Sequence, residues 1–337
     1  MSQNLKSPAT KKTVVKKEAK ISTAKPNILL FVDDDPDILK SIESNLANKK
    51  ITILTATSAK DALSLLDSMH IDIIVTTNLM VGMTGVDLLE QAKQRFPDTI
   101  RILTTIKADA YMELDAINRC ELFHIIIKPW KDSVFVKAIE DAVKRYSIAT
   151  TLKQADEATL LNIARAIEAK DPCAKGHCER VAQYALLIAD ALKLPEETKQ
   201  DVMYGSWLHD CGNVDMPAAI LNYDGVLSED QFKIIKLHPR WGADIARQAQ
   251  FSDTIINIIL YHHERYDGKG YPTGIKADGI PIEARIVAIA EVYDAITSDR
   301  PYQKSFSPEK ALSIMGKMKG NYFDPEILKT FVSVINR

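Results

Sequence analysis

The sequence predicts two domains of different class: a doubly wound α/β domain built on a parallel sheet, followed by an all-α helical domain. Three observations lead there. The chain has 337 residues, which is about two domains of ordinary size. Short apolar runs alternate five times with amphipathic stretches between Asn27 and Tyr146. From about Ser147 the apolar spacing changes to three and four residues and strand patterns fade.

In chain order, residues 1–26 form a basic tail. Residues 1–25 carry seven Lys and one Glu, so against a whole-chain net charge of −2 the remainder holds −8. The tail has no apolar core of the kind a secretory signal needs, and its composition is that of a solvated, disordered arm. An acidic body does not suit sequence-independent binding to DNA, which requires a basic face to displace counterions. No apolar stretch approaches the length of a membrane span, and four scattered cysteines without a CxxC pair fit a reducing cytoplasm.

The folded pattern begins with the strand-like run ILLFV (28–32), closed by Asp33, Asp34, Asp35 and Pro36. A helical stretch, then ITILTAT (51–57), a second helical stretch, DIIVTT (72–77), a third, RILTTI (101–106), a fourth, and HIIIKPW (124–130) follow, with a last helix to about Tyr146. Ligands of such sheets lie at the carboxyl ends of the strands. Residues 147–170 read as a linker helix leading into the second domain, which spans 155–337.

In that second domain five histidines recur at helix-sized intervals: His177, His209, His238 and the pair His262-His263, with Glu291 a further 28 residues on. One ligand or adjacent pair per helix can converge on a common centre in a bundle. Singly each would be an ordinary core or surface histidine; together with Asp210 they point to a metal centre. Neighbours on a helix project about 100° apart, so each adjacent pair is expected to serve two ions side by side, with a carboxylate bridging. Imidazoles with Asp210 and Glu291 suit two transition-metal ions, Fe, Mn or Zn, better than Ca or Mg.

Residues 27–146 resemble a response-regulator receiver domain. The resemblance rests on Asp33-Asp34 after the first strand, Met80-Val81-Gly82-Met83 after the third and Lys128-Pro129-Trp130 after the fifth. It implies a phosphate-accepting Asp at position 77, where this chain has Thr77, and an aromatic switch residue where it has Ile125; Thr105 fits the switch hydroxyl. A threonine hydroxyl cannot form an aspartyl phosphate, so the domain is expected to be a phosphorylation-incompetent receiver that contacts protein partners, with a homodimer possible by analogy.

The second half is similar to the HD-GYP family. It has His-x2-Arg-Val at His177, Leu208-His209-Asp210, His238-Pro239 with Gly242, and the run His-His-Glu-Arg-Tyr-Asp-Gly-Lys-Gly-Tyr-Pro at 262–272. Arg285-Ile286, Asp294-Ala295 and Asp299-Arg300-Pro301-Tyr302 complete it. The resemblance implies hydrolysis of cyclic di-GMP to pGpG, and onward to GMP, by water activated between two ions about 3.5–4 Å apart. It implies His177, His209, Asp210, His238, His262, His263 and Glu291 as metal ligands, Asp210 bridging, and His209 and Asp210 as the catalytic pair. Arg300 would grip a substrate phosphate, and Asn213, Gln303, Lys269 and Tyr271 would border the substrate. Asn213 and Gln303 stand where the family carries basic residues, and Glu291 replaces an Asp. An alternative is therefore a weakly active or inactive domain that binds cyclic di-GMP and signals by contact; another HD-type phosphoesterase is a third reading. Cys173 and Cys211 are read as small apolar fillers.

Overall fold

The structure is a computed structural model. It describes residues 26–335 except 48, 107–115, 117–118, 171–174, 222, 224, 226–227 and 300–303. The helical stretch expected after RILTTI falls largely outside the described residues, as do the tail, Cys173, Arg300 and Gln303.

Among the described residues the first domain is a five-stranded parallel sheet in the order β2-β1-β3-β4-β5. The strands are β1 (Asn27–Val32), β2 (Ile51–Ala56), β3 (Ile73–Thr77), β4 (Ile100–Thr105) and β5 (His124–Ile127). The order reverses beside β1, which puts the carboxyl ends of β1 and β3 at the switch point where such sheets hold ligands. Helices α1 (Pro36–Leu46), α2 (Ala59–Ser68) and α3 (Gly85–Arg95) start at side-chain caps from Asp35, Ser58 and Thr84. Both sheet faces are covered: Leu30, Ile74 and Leu103 pack on one side, Phe31, Val75 and Ile102 on the other.

The last receiver helix, α4 (Asp132–Lys153), does not stop near Tyr146. Nothing between Tyr146 and Lys153 breaks a helix, so the chain runs on for 22 residues, about 33 Å. The interruption comes at Gln154–Asp156, where Asp156 accepts from Thr159 N at 2.9 Å and caps α5 (Glu157–Glu168). The expected single linker helix over 147–170 is thus the end of one helix and the whole of another. Ile148 and Leu152 of α4 pack into the helical domain's core with Leu160, Leu208, Ile255 and Ile259.

The second domain is helical: α6 (His177–Ala191), α7 (Glu196–Leu208), a 3₁₀ turn (Cys211–Val214), α8 (Ala218–Leu221), α9 (Glu229–Ile235), α10 (His238–Gln248), α11 (Asp253–Tyr261), α12 (Ile282–Thr297), α13 (Pro308–Gly316) and α14 (Pro325–Ile335). The α7, α10 and α11 helices form one core with α5, and α6, α12 and α14 a second around Val181, Ile286 and Phe331. Among the described residues no helix is long and apolar enough to cross a membrane.

Candidate metal centre

Every histidine of the series sits at a helix end. His177 and His238 open α6 and α10; His209 and His262 close α7 and α11. The packing of these four helices brings the ends together in two clusters, His177/His209/Asp210 and His238/His262/His263, within each of which the ligand atoms lie within 4.8 Å of one another.

The grouping corrects one expectation. His262 and His263 both fall in one cluster rather than one in each, whereas Asp210 of the other pair reaches both clusters. The 100° spacing holds only inside a helix, and both pairs straddle the point where the chain leaves it: Asp210 has already left the helical region, with φ −95 and ψ 12. The clusters meet at Asp210, whose Oδ1 is 3.2 Å from His238 Nε2 and whose Oδ2 is 3.6 Å from His209 Nε2. His238 Nε2 is also 3.3 Å from His262 Nε2.

Three of the imidazoles are oriented by backbone carbonyls just before them in the chain. Nδ1 of His209, His238 and His262 lies 2.7, 2.8 and 2.8 Å from the carbonyl oxygens of Ser206, Ile235 and Ile259, each three residues earlier. A carbonyl accepts only, so Nδ1 carries the proton and Nε2 presents a lone pair to the centre. His209 Nε2 is buried and has no hydrogen-bond partner in the protein. A buried acceptor left without a donor is costly unless something else binds it, so the donor set fits a divalent metal ion.

Charge follows the same logic. Burial holds His209 below the usual imidazole value; burial and neighbouring imidazoles hold His262 and His263 well below it, keeping them neutral and able to ligate. Burial would raise the Asp210 carboxyl, but His209, His238 and His262 hold it well below the carboxylate range. Its side chain is 40% exposed, on the floor of a cleft of about 280 Å³.

Tyr271 lines that cleft with its ring 4.7 Å from His263, and burial keeps its phenol protonated. Glu291 lines it too, with Oε1 3.8 Å from His263 Nδ1, outside both clusters. Asn213 lies on the wall beside Asp210. Lys269 is brought elsewhere: it is exposed and absent from the cleft lining. Asp267 Oδ1 accepts from Lys269 N at 3.0 Å, and Gly268 at φ +78 turns the chain there. Cys211 is a filler, its thiol 3.6 Å from the Gly242 carbonyl and pushed by burial up to about 12.

At the sheet, Thr77 is buried at the end of β3 and no carboxylate replaces it. Lys128 Nζ lies 2.5 Å from Asp33 Oδ2, and Asp35 N donates to Asp33 Oδ1 at 3.1 Å, so both oxygens of the 1%-exposed Asp33 are engaged within the protein. Asp34 is exposed, and Thr105 is buried at the end of β4.

Residues 162–327 match the HD domain family and residues 29–140 the response regulator receiver domain family. The cyclic di-GMP phosphodiesterase response regulator RpfG of Xanthomonas campestris pv. campestris is 32% identical over 288 residues, 79% of this chain and 76% of that protein. The chain belongs to the HD-GYP family. A cyclic di-GMP phosphodiesterase of Thermotoga maritima is 25% identical over 91% of this chain and 90% of its own. A 3'3'-cGAMP-specific phosphodiesterase of Vibrio cholerae serotype O1 is 31% identical over 54% of this chain and 35% of its own. An HD domain implies divalent metal binding, in agreement with the donor set.

This HD-GYP chain also uses residues to which the sequence assigned no role. Asp294 Oδ2 is 2.6 Å from His177 Nδ1, while Asp294 Oδ1 accepts from Arg180 Nε at 2.5 Å and from Ser298 Oγ at 3.2 Å. Burial raises the Asp294 carboxyl, but His177 and Arg180 more than offset this and leave it below the usual value. Burial likewise lowers His177, and Asp294 with Glu291 and Asp210 brings it above the usual imidazole value. The signals were Arg180, three residues after His177, and the Asp294-Ala295 pair. Glu264, next to His263, is buried and accepts from Thr273 N, Thr273 Oγ1 and Gly274 N at 2.7, 2.7 and 3.0 Å, which ties down the Gly-Tyr-Pro loop.

Proposed function

We propose that this protein is a phosphodiesterase that opens cyclic di-GMP to linear pGpG, with GMP as a further product, at a centre of two transition-metal ions. The carrying observation is the Asp210 carboxylate, which belongs to one three-residue donor cluster, lies 3.2 Å from His238 of the other and lines an open cleft. In this reading His177, His209 and Asp210 would hold one ion, His238, His262 and His263 the other, and Asp210 would serve both. Iron suits the mixed imidazole and carboxylate set, as do Mn and Zn.

Bound ions would supply Lewis acidity toward the phosphodiester and lower the pKa of water held between them. The protein's part is orientation. The Ser206, Ile235 and Ile259 carbonyls fix three tautomers, and Asp294 fixes a fourth. Tyr271, held against His263 by the loop that Glu264 clamps, walls the cleft on the substrate side. Arg180 is the one Arg or Lys among the described cleft-lining residues, and Asp294 already pairs it. Substrate phosphate would thus meet a neutral Asn213 beside Asp210, and Arg300 is the proposed cation for it.

The receiver acts in this reading as a protein-contact module. Thr77 offers no carboxylate, and Lys128 is paired with Asp33 rather than free for a phosphate.

Metal analysis of anaerobically purified protein, joined to a product assay on cyclic di-GMP, tests the proposal. About two transition-metal ions per chain with linear product, abolished in Asp210→Ala, is expected. Binding of cyclic di-GMP without turnover under any metal supports the signalling-module alternative; preference for 3'3'-cGAMP moves the substrate assignment within cyclic dinucleotides.

A further inference from the structure

The second half of α4 carries an arginine in an unusual setting. Arg145 is 4% exposed, and its guanidinium reaches three side chains of the helical domain. Nη1 is 3.1 Å from Asp215 Oδ2, Nη2 is 3.7 Å from Asp244 Oδ2, and Nε donates to Gln248 Oε1 at 3.3 Å. Its Cζ lies 5.1 Å from the ring centroid of Phe123, just ahead of β5. One planar cation thus spans both domains.

Its partners are connected to the metal centre. Asp215 follows the 3₁₀ turn that begins directly after Asp210, and Asn213 N donates to the Asp210 carbonyl at 3.0 Å. Lys144 and Lys170 donate to the Val214 carbonyl at 2.9 and 3.3 Å, so the same turn is gripped again. Asp244 and Gln248 lie on α10, whose first residue is His238. The two bodies meet at Gly212, where a Cβ would collide with the His238 carbonyl oxygen and Gly242 N.

The turn that follows Asp210 and the helix that carries His238 are therefore packed against each other and tied, through residues that do not line the cleft, to one fork. What that fork fixes is the Asp210 Oδ1 to His238 Nε2 separation of 3.2 Å, the contact by which one carboxylate reaches both clusters. We infer that Arg145 is a positioning residue for the metal centre: by holding Asp215 and Asp244 on one guanidinium it sets the spacing of Asp210 and His238, and it links that spacing to the last helix of the receiver. As far as turnover is concerned, this inference rests on the phosphodiesterase reading; as far as metal binding is concerned, it does not.

A lysine keeps the charge but cannot span two carboxylates as a fork. The full-length protein is compared with Arg145→Lys and with Arg145→Met combined with Asp215→Asn and Asp244→Asn, which leaves no orphaned acid. Leu152→Ala, in the same helix but without a contact to the Arg145 fork, controls for loss of stability. Each metal-stripped protein is titrated with Mn²⁺ by calorimetry and melted without metal, and cyclic di-GMP turnover is measured on the reloaded forms.

Both Arg145 forms are expected to take up the second ion about 10-fold more weakly and to lose kcat by about 10-fold with KM little changed. Leu152→Ala should keep wild-type binding of both ions. Wild-type affinity for two ions in the Arg145 forms overturns the inference, and so does an equal loss in Leu152→Ala. A wild type that binds two ions in an Arg145-dependent way but leaves cyclic di-GMP intact sinks the substrate reading and leaves the positioning role standing.

Discussion

Asp294 reaches across 117 positions of sequence to place its Oδ2 2.6 Å from His177 Nδ1. The contact leaves Nε2 of His177 as the nitrogen that would face a metal ion and adds negative charge behind the ring. Asp294→Asn keeps an oxygen but loses that charge. Metal affinity at the His177 cluster is expected to fall by about 10- to 100-fold, with the melting midpoint of the metal-free protein little changed. Unaltered affinity by calorimetric titration would show that Asp294 serves packing alone.

The Gly-Tyr-Pro loop owes its place to close contact. A Cβ at Gly270 would overlap Arg265 N, Glu264 Cα and the His263 carbonyl, all backbone that cannot swing aside. Gly270→Ala should therefore cost about 1–3 kcal/mol of stability and shift His263 and Tyr271. Thermal unfolding and turnover measured together check this; a variant that keeps both at wild-type values refutes it.

Acid should destabilise the metal-free protein. His209, His262 and His263 have folded values held below the usual 6.5, so the folded state binds fewer protons at these rings than the unfolded chain. Their contribution is fully present above about pH 6.5 and is lost as pH falls below it. His177 acts in the opposite sense, its folded value being raised, and offsets only part. The melting midpoint of chelator-stripped protein is expected to drop between about pH 7.5 and about pH 5.5. A midpoint that stays level or rises contradicts the arrangement of neutral imidazoles.

Acetyl phosphate with Mg²⁺ should leave the receiver unmodified. Thr77 is buried and is no carboxylate, and the Lys128–Asp33 pair is closed within the protein. Mass spectrometry of the intact chain should show no added phosphoryl group; an acid-labile adduct on residues 27–146 would falsify the prediction.

Much of this arrangement was legible in the sequence. Apolar runs such as ILLFV become the buried centres of a parallel sheet because both of their faces are covered, and the histidine intervals match helix lengths because each histidine or adjacent pair sits at a helix end. What escaped notice depended on contacts between distant positions. No local pattern joins Asp294 to His177 or Arg145 to Asp215, and the grouping of His209 with Asp210 depends on backbone angles beyond the end of α7. The run of α4 through Tyr146 was in principle readable, since no Gly or Pro stands between Tyr146 and Asp156, the residue that caps the next helix.

That unbroken helix bears on how a sensory half could be exchanged in such a chain. A splice at Tyr146 would hand the effector half a foreign rod in place of Ile148 and Leu152, side chains that belong to its own core, and would discard Arg145 with the donor. The heritable unit is therefore the effector plus the final turns of its neighbour's helix, and a junction that respects it falls inside that helix, ahead of Lys144. Receivers can be traded onto this scaffold only if they arrive in the right helical phase.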